Sequence, residues 1–204
     1  MGGWLLLLVA LVAVDWPTIV KPALSYVVRI ESAKADAETP GICSGVIINR
    51  ATGVVLTAAH CIPVGEPHTY SITVNGRHAQ LARANRLIDL AILRIPGESK
   101  DKGEMELAAK SPAIGSDVAV VGFLLGSKTI RAQFGRIAEE PDKDRDRLVV
   151  DGVVLPGDSG GAIIDASGKL VGLTVQYYQG SAIGLAVPVE AVRDFVEPFL
   201  PPGK

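Results

Sequence analysis

From Tyr26 onward the chain alternates short apolar runs with clusters of turn residues. "YVVRI", "CSGVIIN", "GVVLTAAHC", "TYSITVNG" and "LAILRI" have strand length and are rich in Val and Ile, which suit a pleated, half-buried surface. "NRATG" and "NG" between them read as hairpin turns. The pattern is lost from Pro96 to Gly115, "PGESKDKGEMELAAKSPAIG", which reads as a linker crossing the surface. It resumes with "DVAVVGF", "KTIRAQFGRIA", "RLVVDGVVL", "GAIIDASGKLVGLTVQYY" and "IGLAVPV". At the end, Val189, Val192, Val196 and Phe199 recur at helical spacing and Pro198 stops the pattern. Two groups of about six strands, a linker and one helix predict an all-β protein: two six-stranded antiparallel β-barrels with a C-terminal helix. The expected domain covers 26–199, with barrels at about 26–95 and 117–187, the linker at 96–116 and the helix at 188–199. A site between two barrels would draw on both halves of the chain.

The segment ahead of the strands, 1–25, stands apart. An uncharged apolar run extends from Trp4 to Val14 and is closed by Asp15 and Pro17. About eleven residues matches the core of a signal peptide and falls short of the twenty or so that a membrane span needs. The run reads as an export signal, either cleaved or retained as a membrane tether through residues 4–14. Against this, no Lys or Arg precedes it, and the small residues of "ALS", Ala23 to Ser25, lie far downstream. The other reading is an apolar segment packed on the domain or on a partner chain.

Composition narrows the class. With 48% hydrophobic and 21% charged residues among 204, the chain can bury a core and is not disordered. A net charge of −2 without a block of like charge gives no electrostatic reason to expect a nucleic-acid partner, and none is expected. Cys43 and Cys61 are the two cysteines. Beside an export segment they favour one disulfide in an oxidising compartment, and in the cytosol they would be two thiols.

Candidate chemistry is sparse. Of the three histidines, His68 and His78 lie in polar surroundings and read as solvated. His60 ends an apolar run behind small Ala58 and Ala59, a setting that also suits a core histidine. Asp89 opens "DLAILRI", a strand reading as buried on both faces, where a carboxylate is costly unless paired or hydrogen-bonded. It can cap a turn, or it can hold His60 in the tautomer whose second nitrogen is basic. Ser159 lies in "GDSGG", where Gly157 and Gly160 permit a tight turn aiming the amides of Gly157 and Ser159 at one point. Two such donors stabilise a tetrahedral oxyanion, though a plain glycine turn has the same composition. "DKDRDRLVVDG" spaces Asp142, Asp144 and Asp146 like a calcium loop, but Arg147 and Val153 stand where the glycine and bidentate glutamate belong, so it reads as a charged hairpin.

"LTAAHC", "DLAIL" and "GDSGG", in that order, resemble the trypsin/chymotrypsin-like serine proteases over about Tyr26 to Phe199. The resemblance implies a chymotrypsin-like fold, His60 as base, Asp89 as its orienting carboxylate and Ser159 as nucleophile. It also implies an oxyanion hole from the amides of Gly157 and Ser159, and a Cys43–Cys61 disulfide straddling His60. Counting back as in that family, Val153 should lie at the base of the substrate pocket, with Tyr177 and Gly184 along its walls. No carboxylate stands at that base, so small or medium apolar residues are expected before the scissile bond. "DGVVLPGDSGGAIID", "GKLVGLTV" and "GLAVPVEAVRDF" are most similar to the bacterial high-temperature-requirement branch. Asp158 departs from the asparagine usual there, and with the sequence ending at Lys204 the C-terminal peptide-binding domain many members carry is not expected. No "IVGG"-like activation site precedes "YVVRIES", so Asp158 is expected to pair with a side chain, an arginine of "DKDRDR" being one option. Ordering of the oxyanion loop by substrate or by oligomerisation is another. The expected function is a serine endopeptidase acting on proteins or peptides outside the cytoplasm, with no metal or cofactor. The alternative is a non-catalytic peptide-binding or holdase protein on the same fold.

Overall fold

The computed structural model describes residues 13–97, 103–124, 127–141, 146–152 and 154–200. Seven strands make the first sheet: β1 (Val27–Lys34), β2 (Gly41–Asn49), β3 (Val54–Ala58), β4 (Tyr70–Val74), β5 (Arg77–His78), β6 (Gln80–Asn85) and β7 (Leu90–Arg94). Their order is β5-β4-β1-β2-β3-β7-β6, so the two outermost strands are sequence neighbours. Only Ala79 separates them, and its N–H donates to Ile72 of β4 at 3.0 Å. One chain stretch therefore pairs first with β4 and then, after a bend, with β7. That bend curls the sheet round, over a stretch that no apolar run marks in the sequence.

The second sheet closes fully. β8 (Asp117–Phe123), β9 (Ile130–Glu139), β10 (Leu148–Asp151), β11 (Ala162–Ile164), β12 (Leu170–Tyr177) and β13 (Ile183–Pro188) form a barrel in the order β10-β13-β12-β11-β8-β9. The fold is thus all-β and chymotrypsin-like, a six-stranded closed barrel beside a curled half-barrel. Branched side chains form two core clusters: Ile30, Ile48, Leu56, Ile92 and Leu170 in one that reaches across both sheets, Ile137, Leu148 and Ile163 in the other, all less than 2% exposed. Burying each such side chain contributes roughly 1.5–3 kcal/mol. The C-terminal helix Val189–Val196 buries Val189, Val192, Phe195 and Val196, so the helical spacing seen in the sequence marks its inner face.

Two features differ from the sequence pattern. A short helix, Trp16–Ala23, lies within the segment set apart as N-terminal; Asp15 caps it by accepting from the Thr18 hydroxyl at 2.7 Å. Val20 and Ala23 are buried, and the Trp16 ring meets Phe134 with centroids 5.3 Å apart. Pro17 and Pro22 argue against a helix by propensity, yet Pro17 sits in the first turn, where no N–H is needed. Residues 4–12 of the apolar run lie outside the described residues. Among the described residues no helix is long and apolar enough to cross a membrane. The described end of the linker, in turn, does not merely pass over the surface. Met105 donates to Ile47 at 3.0 Å, Leu170 to Glu106 at 2.7 Å and Ala108 to Leu170 at 2.9 Å, stitching the two sheets together. Met105 and Ala108 are buried in consequence.

Candidate active site

β3 is buried along its whole length and delivers the chain into a tight 3-10 turn, Ala59–Cys61. There the His60 side chain emerges 46% exposed. β7 pairs with β3 so that Leu90 lies opposite Ala58, which brings Asp89 beside that turn. Asp89 adopts φ +62°, an uncommon conformation for a residue with a Cβ. Its carboxylate grips His60 twice, with Oδ1 accepting the backbone N–H at 2.9 Å and Oδ2 lying 2.7 Å from Nδ1. A carboxylate only accepts, so Nδ1 carries a proton, and the neutral ring keeps its lone pair on Nε2.

Ser159 comes from the other barrel, and Ser44 on β2 holds the loop that carries it. The Ser44 N–H donates to the Ser159 carbonyl at 2.8 Å, and its hydroxyl donates to the Gly157 carbonyl at 2.8 Å while accepting from Phe123 N–H at 2.8 Å. Ser44 is fully buried. Gly160 completes the turn at φ +80°, where a Cβ would lie 2.2 Å from the Ser44 carbonyl oxygen and 2.4 Å from Thr57 Oγ1. No side chain fits there. The disulfide Cys43–Cys61 ties Ser44's neighbour to His60's neighbour, and the Cys61 sulfur lies 3.8 Å from the Ser159 carbonyl oxygen. The two halves of the site thus meet on β2. Sequence reasoning missed Ser44; its signal is a small polar residue inside an otherwise apolar strand, next to Cys43.

Among the described residues, the Ser159 hydroxyl makes no hydrogen bond, and neither do the N–H groups of Gly157 and Ser159. Contacts of this kind commonly tighten only when substrate binds. Unclaimed N–H groups are also what an oxyanion site requires.

Asp158 is 1% exposed and faces inward. Its Oδ2 accepts the Leu155 N–H at 2.8 Å and a second bond from Arg131 Nη2, and Arg131 Nε lies 3.4 Å from Oδ1. Burial raises its pKa above the ordinary aspartate value, against the opposing pull of Arg131 and of the Leu155 amide. The cation comes from β9 and not from the 142–147 stretch. A residue so remote in sequence has no local pattern to betray it. Arg147 of that stretch donates instead to the Ile88 carbonyl at 3.2 Å.

Around the expected pocket, Val153 lies outside the described residues. Tyr177 and Gly184 are register partners across β12 and β13. Val154 is 3% exposed, and a Cβ on Gly184 would meet its Cγ2 at 2.3 Å, so this side chain fills the space beside Gly184. Tyr177 packs on the same cluster as Val154. His68 and His78 are exposed, as their polar surroundings suggest. Cys43, His60 and Cys61 bring ligand atoms within 4.8 Å of one another, but the two sulfurs are joined and offer no thiolate. Asp142 and Asp144 of the calcium-like stretch lie outside the described residues, and Asp146 is exposed.

Comparison with known proteins gives the arrangement a lineage. The family model of the trypsin-like peptidase domain matches residues 43–173, well over half of the chain. The periplasmic pH-dependent serine endoprotease DegQ of Escherichia coli is 29% identical over 174 residues, covering 78% of this chain and 37% of DegQ. The serine endoprotease DegS of the same species is 27% identical over 175 residues, covering 79% of this chain and 49% of DegS. The chain therefore spans less than half the length of these relatives. A serine endoprotease from Yersinia pestis superposes with a TM-score of 0.76 at 25% identity, covering 95% of this chain and 69% of that one. The Rv3671c protease of M. tuberculosis in its active form shares the fold, with a TM-score of 0.73 at 23% identity over 88% of this chain and 82% of that one. The chain belongs to the trypsin-like peptidase domain family, and the relatives it resembles are Deg/HtrA-type serine proteases.

Proposed function

We propose that this chain is a serine endopeptidase in which Ser159 attacks the scissile carbonyl and His60 Nε2 takes its proton. Asp89 keeps the imidazole in the required tautomer and offsets the positive charge it gains. The amides of Gly157 and Ser159 receive the negative oxygen of the tetrahedral intermediate, each donor being worth about 3 kcal/mol in such sites. His60 then protonates the leaving amine, and water releases the acyl group from Ser159. Every step uses side chains and amides of the chain itself. The observation that carries this reading is the two-point grip of Asp89 on His60, at 2.9 and 2.7 Å, beside a Ser159 loop pinned to the neighbouring strand.

Val154 against Gly184, with Tyr177 nearby, supports a shallow apolar pocket, and hence cleavage after small or medium apolar residues. An extracytoplasmic location is proposed with it. The disulfide supports this, since such bonds persist in oxidising compartments, as does the periplasmic setting that DegQ's name records. Residues 4–14 would serve there as an export signal or membrane tether. A fluorophosphonate probe tests the chemistry, because it reacts only with an activated serine. Labelling that vanishes in Ser159→Ala is expected; an unlabelled folded protein would favour the peptide-binding alternative. A peptide library cut mainly after Lys or Arg would overturn the pocket assignment.

A further inference from the structure

Polar contacts hold the turn that carries Asp89, whose own carbonyl accepts the Ala59 N–H at 3.2 Å. The turn begins at Asn85, whose Oδ1 accepts the N–H groups of Leu87 at 3.0 Å and Ile88 at 3.4 Å. Leu87 is 89% exposed and contributes no burial. Asp89 itself takes the left-handed conformation at φ +62°, uncommon for a residue with a Cβ though easier for aspartate than for most, and contacts to its neighbours constrain it there. Two arginines supply such constraint. Arg86 donates to the carbonyls of Ala59 at 3.2 Å and Ile62 at 2.9 Å, bracketing His60 from within the first sheet. Arg147 stands at the start of β10 in the second barrel and donates to the carbonyl of Ile88, the peptide oxygen immediately before Asp89.

We propose that Arg147 is a positioning residue for the His60–Asp89 pair, letting the second barrel, which carries Ser159, fix the turn that presents Asp89. The physical reason is geometric. The Asp89 carboxylate must meet both the N–H and Nδ1 of His60, and a small rotation of the 88–89 peptide would break one bond or both. A guanidinium anchored in the opposite barrel resists that rotation and ties the alignment of the pair to the docking of the two halves. The inference rests on the peptidase reading above only for its kinetic consequence, not for its structural one.

The test compares Arg147→Ala and Arg147→Lys with Arg77→Ala, which removes another arginine-to-carbonyl bond, to Pro96, outside the site. Two readouts are needed: turnover of an apolar peptide ester, and the far-downfield proton resonance of a His Nδ1–H bonded to carboxylate. For Arg147→Ala, kcat should fall roughly ten- to a hundredfold, as for ångström-scale misplacement, with KM changed less than about twofold. The downfield resonance should broaden or vanish. Arg147→Lys, which keeps a donor, should recover most of both, and Arg77→Ala should change neither. An Arg147→Ala protein with normal turnover and a sharp downfield resonance overturns the proposal. Equal losses in all three variants overturn it too, by pointing to general destabilisation. If the unaltered protein proves inactive yet shows a resonance that Arg147→Ala abolishes, the peptidase reading fails and the positioning role stands.

Discussion

Replacing Arg131 by methionine removes the cation facing Asp158 while keeping an unbranched apolar stem. Asp158 is 1% exposed, so its carboxylate then has only the Leu155 amide in place of bulk water. Removing one partner of a buried pair typically costs about 3–5 kcal/mol. The chain can limit that cost by taking up a proton. From the ordinary value of 3.8, neutralising one carboxyl at pH 7 costs about 4 kcal/mol, which sets a ceiling. At pH 5 the same ceiling falls to about 1.6 kcal/mol, from 1.2 units at 1.36 kcal/mol each. Urea unfolding of Arg131→Met should thus show a penalty of several kcal/mol at neutral pH that shrinks by more than half near pH 5. The double variant with Asp158→Asn should recover most of the loss, since the amide needs no counter-charge and its oxygen can still accept from Leu155. Because Asp158 lies between Gly157 and Ser159, fluorophosphonate labelling of Arg131→Met should also slow by at least roughly tenfold at pH 7. A neutral-pH penalty below about 1 kcal/mol, or one that grows on acidification, would refute the reasoning, because a buried unpaired carboxylate behaves in neither way.

Other perturbations probe separate links. Replacing Cys43 and Cys61 together by alanine opens a bridge with sequence separation 18, which on chain entropy costs about 3 kcal/mol; an unchanged urea midpoint would contradict that. Ser44→Ala leaves the buried Gly157 carbonyl and Phe123 amide without their hydroxyl, at about 1–3 kcal/mol each, and should slow labelling of Ser159; normal labelling would remove Ser44 from the site. For Asp158, burial makes the folded chain hold the proton more tightly than the unfolded chain does. Its contribution to folding is complete below about 3.8 and is lost as pH rises through the higher folded value. The stability of the unaltered protein relative to Asp158→Asn should therefore decline with rising pH over that window in stepped-pH unfolding. A relative stability that climbs with pH would mean that the Arg131 pair overrides burial.

The apolar runs disclose most strands because Val- and Ile-rich stretches pair wherever they can bury a face. Asn75 and Gly76, at φ 48° and 78°, form the hairpin that "NG" announces. His60 and Asp89 are legible for a different reason: each closes or opens a buried strand, where a polar side chain needs a partner. Arg131, Ser44 and Arg147 are not legible in this way. Each acts through contacts distant in sequence, 27 residues to Asp158, 113 to Gly157 and 59 to Ile88, and only the assembled barrels create those pairs. The stretch 77–85 shows a different limit: "RHAQLARAN" is largely polar and its strands are exposed, so no apolar run marks them.

The clamp formed by Ser44 has a bearing on how the molecule matures. The peptide oxygens flanking Asp158 and Ser159 find their donors on a strand made much earlier in the chain, and a polypeptide whose later half alone had collapsed would leave both unclaimed. Under the proposed function, reactivity at Ser159 would therefore arise only after the two halves have mated.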